Sequence, residues 1–394
     1  MEEKPKLRKV SLGSAIICAF VTLALGIGIG IGWNKISGQF LPYLGFQSVK
    51  TTDWSSLDEV YNALSSKYDG DINMATVIDG AKKGIAASVG DVYTTYMTAS
   101  EASDFNKSLH GEVGSGIGAV LAKRDGYVRI IRTLPDNPAQ KAGILAGDII
   151  YKIDGESVYN LDSDEIANKL RGASGTNVSL TVVRDGEEKT FDLTREEINN
   201  VSAYVDYRDQ TAIIHVTRFD TDTGSIIRGF IKEFSDKNIN KVILDLRDNG
   251  GGYVSAAKDL LSLWIDSKAI LVQKSSKLPE ETTYTAHGQA DLANMKTVVL
   301  VNGSSASASE IVAGALQDYG KATILGEKTY GKGVVQSLVN LSDGTLLKVT
   351  TAHWYTPKGS SINGTGITPD QIVERTYDDI NKNIDPQLDA AMQL

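Results

Sequence analysis

Residues 241–252 read KVILDLRDNGGG and residues 297–320 read TVVLVNGSSASASEIVAGALQDYG. Each opens with a short unbroken apolar run, the pattern of a strand buried on both faces of a sheet. Each run then empties into a loop of glycine, asparagine or serine. After the second loop, a helix is expected from about Ser305 to Tyr319, stopping at Gly320. Working outward, AIIHVTRF (212–219) reads as a strand and TGSIIRGFIKEFSDK (223–237) as an amphipathic helix. TILG (323–326) and VVQSLVNL (334–341) read as further strands. Strands alternating with helices make residues 200–380 an α/β domain, in which ligands bind at the carboxyl ends of the strands. A closing helix is expected over 381–394.

Upstream, residues 109–197 change character to short strands around turns, with two helical interruptions. SGIGAVLAK and YVRIIRTL flank the turn Arg124-Asp125-Gly126, and DIIYKIDGESV folds back at Asp154-Gly155. NVSLTVVRDGEEKTFDLT forms a hairpin turned at Asp185-Gly186. NPAQKAG and LDSDEIANKLRG supply the helices. This order resembles a PDZ domain, a β-sandwich with two helices. The resemblance rests on Gly116-Ile117-Gly118-Ala119 at the head of a strand and on PAQKAGILAGD (138–148). It implies that amides of residues 116–119 cradle a peptide carboxylate, the peptide adding as a strand to the open edge.

Residues 50–105 read as a helical layer, with Leu57, Val60, Tyr61 and Leu64 on one face and Ala75, Val77, Ile78, Ala81 and Ile85 on another. A stalk or a homodimerisation element is compatible with it. From Val10 to Trp33 the chain carries no charge over 24 residues, about 36 Å of helix against about 30 Å of hydrocarbon. The basic segment 1–9 places the N-terminus in the cytoplasm and the rest outside the cell membrane. A cleaved signal peptide is the competing reading, but its apolar region is normally shorter and ends in a small-x-small site.

Composition narrows the chemistry. The 394 residues hold 40 basic and 49 acidic side chains, a net −9 that gives no nucleic-acid footprint. One cysteine and four histidines leave no disulfide framework and no Cys/His zinc cluster, and the chemistry read below at Ser307 and Lys332 needs neither metal nor cofactor. Glycine is abundant at 38 residues. Three consecutive glycines at 250–252 let backbone amides face a cavity, as an oxyanion hole requires. Ser307 falls near a helix N-terminus, where orphan amides favour developing negative charge. GEKTYGKG (326–333) approaches a nucleotide-binding loop, but Gly333 replaces the hydroxyl residue and strand-like sequence follows. No histidine is placed to serve a triad. Lys332, between two glycines, becomes a credible base if burial lowers its pKa.

SASASEIVAGALQDYG followed by a Gly-Lys-Gly turn, together with DVYTTYMT (91–98), DLRDNGGG, GTGITPD and DPQLDAAM, resembles the carboxyl-terminal processing peptidases, the tail-specific proteases. These are exported or membrane-associated serine proteases with an embedded PDZ domain. The resemblance implies Ser307 as nucleophile, Lys332 as general base and Gln336 as the residue orienting the lysine. It implies an oxyanion hole from the amides of Gly251, Gly252 and Ala308, and protein or peptide substrates with accessible C-termini. Asp318 also matches a position linked to activity in some relatives. It lies eleven residues along the helix, about 16 Å away, which predicts a structural ion pair instead. The rival reading is a non-catalytic PDZ adaptor at the membrane surface.

Overall fold

The computed structural model describes residues 53–394, apart from 125, 278, 279 and 383. The expected anchor at 10–33 and the tail at 1–9 lie outside the described residues. No described helix is long and apolar enough to cross a membrane.

The apolar runs form the centre of a six-stranded sheet. Its order is Ala203–Arg208, Thr211–Val216, Lys241–Asp245, Lys296–Val301, Thr323–Gly326 and Gln371–Ile372. All neighbours are parallel except the first pair. Alternate side chains explain why the runs are unbroken. Ile214, Leu244 and Val299 pack against helices Thr223–Ile231, Val254–Leu261 and Ala308–Asp318. Ile213, Ile243 and Leu300 face the other way, onto Leu388 and Ala391 of the C-terminal helix Pro386–Gln393.

A second sheet lies beside the first. Strand Leu346–Tyr355 pairs with Val334–Asn340 on one side, and also with Ala269–Lys274 and Thr95–Met97. The last strand departs from the helical expectation for 50–105. Thr95, Tyr96 and Met97 pair antiparallel with Lys348, Leu347 and Leu346, because β-branched and aromatic residues there meet an edge that can accept them. Helices do occupy Ser55–Lys67 and Met74–Ala87, and a further one runs from Ala99 to Leu109 under a capping box of Thr98 and Glu101.

Residues 115–197 form the separate strand-and-two-helix body. The sheet order is Ala119–Arg124, Tyr127–Thr133, Ile149–Ile153, Asn177–Arg184 and Glu187–Thr194. Ile130, Leu180 and Val182 are its dry centre, with Ile166 of helix Ser163–Leu170 closing the top. The tight turn at Asp185 and Gly186 has φ of 55° and 81°, as a two-residue hairpin loop requires. Buried Asp148 accepts a two-pronged pair from Arg184, Nε and Nη2 each at 2.7 Å. The strand Ala119–Arg124 has a partner on one side only, so its other edge is open.

Candidate active site

Three loops at the carboxyl ends of the parallel strands meet in one cleft of about 380 Å³, lined by Ser307, Lys332, Gln336 and Gly250–Gly252. The glycines are not equivalent. A Cβ on Gly251 would come within 2.8 Å of Ser307 Cβ and of Ala306 O, and its φ is 103°. A Cβ on Gly252 would strike Phe219 O at 2.1 Å, whereas Gly250 has open space. The close approach of glycine backbone to Ser307 therefore belongs to residue 251, while residue 252 packs against Phe219. Gly251 nonetheless gives its N–H to Asn249 Oδ1 at 2.8 Å, so this amide, expected to face the oxyanion, is engaged elsewhere. Gly252 remains at the cleft. Ala308 opens its helix, and its N–H is one that a helix leaves unpaired.

Ser307 has φ 55° and ψ −114°, a left-handed conformation that costs a non-glycine residue energy. The serines around it work as braces. Ser305 Oγ donates to Leu246 O at 2.8 Å, and Ser309 Oγ to Asn249 O at 2.9 Å. Asn249 is fully buried and also reaches Val216 O through Nδ2 at 2.7 Å. The serine-rich loop and the glycine loop are thus fastened to each other. Asp245 sits at the root of the glycine loop, held in a bidentate pair by Arg247. The guanidinium also reaches Asp385 at 2.8 Å, which ties the closing DPQ segment to the site.

Lys332 is driven inward by its neighbours. A Cβ on Gly331 would meet Gly366 N at 2.9 Å, and one on Gly333 would meet Asn363 at 2.7 Å, so the turn packs backbone to backbone against residues 363–366. Half-buried Lys332 sends Nζ to Gln336 Oε1 at 2.8 Å, and Gln336 Nε2 donates in turn to Tyr93 O. The ammonium lies 5.2 Å from the Tyr93 ring centre. Burial, and then the charge of Lys348, hold the Lys332 pKa below the ordinary lysine range, against the pull of Asp91 and Glu310.

Glu310 was not singled out from the sequence. Its carboxylate is fully buried and has no cation within ion-pair distance among the described residues. It accepts from Ser307 N–H at 2.8 Å, Lys332 N–H at 2.9 Å, Gly331 N–H at 2.6 Å and Thr329 Oγ1 at 2.7 Å. The spacing Ser307-x-x-Glu310 is that of a helix capping box, the signal by which it was detectable. Asp318 forms no ion pair among the described residues. Its carboxylate accepts the Lys358 N–H at 2.8 Å, because the turn there presents an amide and no cation.

Residues 116–119 lie in a different place, lining a groove of about 200 Å³ with Leu170, Arg132 and Arg218. Gly118 has φ 74°, and a Cβ there would overlap Asn137 at 2.2 Å. Buried Ile117 accepts the Ala139 N–H at 2.8 Å. None of the four histidines lines the cleft that holds Ser307 and Lys332.

Comparison with known proteins gives the chain's family and domains. Residues 210–373 match the model of peptidase family S41, and residues 130–184 match a PDZ domain. A probable CtpA-like serine protease of Staphylococcus haemolyticus is 34% identical over 372 residues, covering 94% of this chain and 73% of that protein. One from Staphylococcus aureus strain MRSA252 is 32% identical over 366 residues, covering 93% and 72%. Among solved structures, the photosystem II D1 C-terminal processing protease aligns with a TM-score of 0.58 at 27% identity, over 82% of this chain and 87% of that one. A putative S41 protease from Bacteroides fragilis shares the fold, with a TM-score of 0.56 at 17% identity over 91% and 95%. The chain belongs to peptidase family S41, and it is a serine-type carboxyl-terminal processing hydrolase that carries a PDZ domain.

Proposed function

We propose that this hydrolase is held by a single N-terminal helix in the cell membrane and cuts protein chains outside the cytoplasm with a Ser307/Lys332 dyad. The observation that carries the dyad is the shared cleft, in which a half-buried lysine of lowered pKa is aimed by Gln336 beside a strained serine. Neutral Lys332 Nζ takes the Ser307 Oγ proton as Oγ bonds to the peptide carbonyl carbon. The resulting oxyanion rests on the amides of Ala308 and Gly252. Collapse breaks the C–N bond, and the lysine ammonium returns its proton to the leaving amine. Water, again deprotonated by Lys332, then releases the acyl group. The PDZ groove holds the C-terminal carboxylate of the substrate at residues 116–119, the tail pairing with the open edge of Ala119–Arg124.

The uncharged run 10–33 supports the anchor. Exposure of Leu57, Val60 and Leu64 at 46–59% supports a homodimer through the helix Ser55–Lys67, which sedimentation of the protein in detergent would test. The adaptor alternative requires peptide binding without turnover. Ser307→Ala and Lys332→Ala each abolish cleavage of an unstructured protein while leaving the circular dichroism spectrum unchanged. Turnover retained in either variant would refute the dyad.

A further inference from the structure

The walls of the catalytic cleft contain two lysines and no carboxylate, in a chain whose net charge is −9. One is Lys332. The other, Lys348, has no assigned part in the chemistry. It is half-buried, its Nζ lies 5.5 Å from the Phe105 ring centre, and no described carboxylate comes within 4 Å of it. Its placement follows from strand register. Gln336, which holds the Lys332 ammonium, is opposite Thr350, and Leu338 is opposite Lys348. Lys348 is therefore two residues, about 7 Å, along its strand from the level of the catalytic lysine. An extended substrate covers that distance in two residues.

A lysine at this position carries a cost. Its charge opposes protonation of Lys332 but gains no internal ion pair in return. The cleft it lines also presents the Phe105 ring and the apolar side chains of Leu109, Val335 and Leu338. That environment suits a side chain with an apolar stem and an anionic head. A cleft lined by one sign of charge also concentrates ligands of the other.

We propose that Lys348 is a specificity-determining residue that pairs with a carboxylate on the substrate within two or three residues of the scissile bond, a glutamate side chain lying along Phe105 being the best fit. The inference rests on the protease reading for the meaning of the cleft, but it concerns binding and is measurable without turnover.

The test uses the full-length chain carrying Ser307→Ala, so that peptide is not consumed. Glutamate or glutamine is walked through every position of a short apolar fluorescent peptide, amidated at its C-terminus so that the PDZ groove does not compete. At one or two adjacent positions the glutamate peptide is expected to bind roughly fivefold to tenfold more tightly at low ionic strength, the range for a partly desolvated charge pair. Lys348→Gln brings that ratio to about one, Lys348→Glu inverts it and Lys348→Arg preserves it; a ratio taken within each variant cancels general damage. High salt should erase the preference in the Ser307→Ala protein itself, which needs no Lys348 variant to fold. Peptides ending in a free carboxylate one or two residues after the preferred position separate a side-chain acid from a terminal one. A preference insensitive to salt, one unchanged in Lys348→Gln, or none at any position would overturn the proposal. Cleavage retained in Lys332→Ala with the glutamate preference present would mark failure of the dyad alone, and cleavage lost in Lys332→Ala with no preference at any position would mark failure of this site alone.

Discussion

Ser307 and Lys332 hang from one oxygen: both give their backbone N–H to Oε2 of Glu310, at 2.8 and 2.9 Å. The nucleophile loop and the lysine loop leave different strands of the central sheet, and this buried carboxylate fixes the distance between them. The pair is placed through its backbone, independently of the side-chain rotamers that the proposed reaction would use.

Glu310→Gln tests this clamp with almost no change in volume. An amide can accept through only one of its two heads, so at least one of the four donors loses its partner, at about 1–3 kcal/mol. A misplacement of about 1 Å between reacting groups costs roughly a hundredfold. The expected result is a kcat lower by about that factor with KM little changed, and a lowered Tm. Equal activity in Glu310→Gln would show that the two loops are held in place by other contacts.

The rate should follow pH through Lys332. The base acts when neutral, so kcat/KM rises with pH through the lysine pKa and then levels. Because that pKa is held below the ordinary lysine range, the rise falls at lower pH than a free lysine would give. Lys332→Arg should be inactive at every accessible pH, since guanidinium does not surrender its proton. Gln336→Ala, which removes the Nζ acceptor, is expected to lower kcat by about tenfold to a hundredfold without abolishing it.

The glycine loop makes a positional prediction. Gly251→Ala forces a Cβ within 2.8 Å of Ser307 Cβ at a φ of 103°, and activity should fall by at least about a hundredfold. Gly250→Ala meets nothing within 4 Å and has no such φ, so its loss should be far smaller. Kinetics of the two purified variants side by side decide it.

Stability should depend on pH through His215. Burial disfavours its charge, but the hydrogen bonds it donates to Asp206 and Asp245 outweigh burial and raise its pKa to about 9. A group with a raised folded pKa contributes stability fully below its unfolded value of about 6.5, and the contribution is lost as pH climbs through about 9. At about 1.36 kcal/mol per pKa unit the loss is on the order of 3 kcal/mol. Urea unfolding at both ends of this window should show it, and His215→Asn should flatten the dependence.

Much of the architecture could be read because local chemistry and tertiary demand coincide. The turn at Asp185-Gly186, the helix Ser163–Leu170 within LDSDEIANKLRG and the two-sided burial of 241–245 are each specified within a few residues. Strand Thr95–Met97 is not legible within the helical layer because its only cause is a partner some 250 positions away. Ser307 and Lys332 could be picked out from their glycine and serine surroundings. Glu310 and Asn249 could not be ranked so easily, since a capping glutamate and a loop asparagine look ordinary until four donors, or two loops, converge on them. The glycine run marks Gly251 as an oxyanion donor, and only the neighbouring Asn249 side chain shows where its amide goes.

The central claim is that Ser307 is a nucleophile activated by Lys332. The most direct measurement is mass spectrometry of the intact protein after treatment with a serine-reactive fluorophosphonate across a range of pH. One adduct per chain is expected, mapping to Ser307, forming faster as pH rises, and missing from Ser307→Ala and Lys332→Ala. An adduct on another residue, or labelling of Ser307 that proceeds as fast in Lys332→Ala, would contradict it.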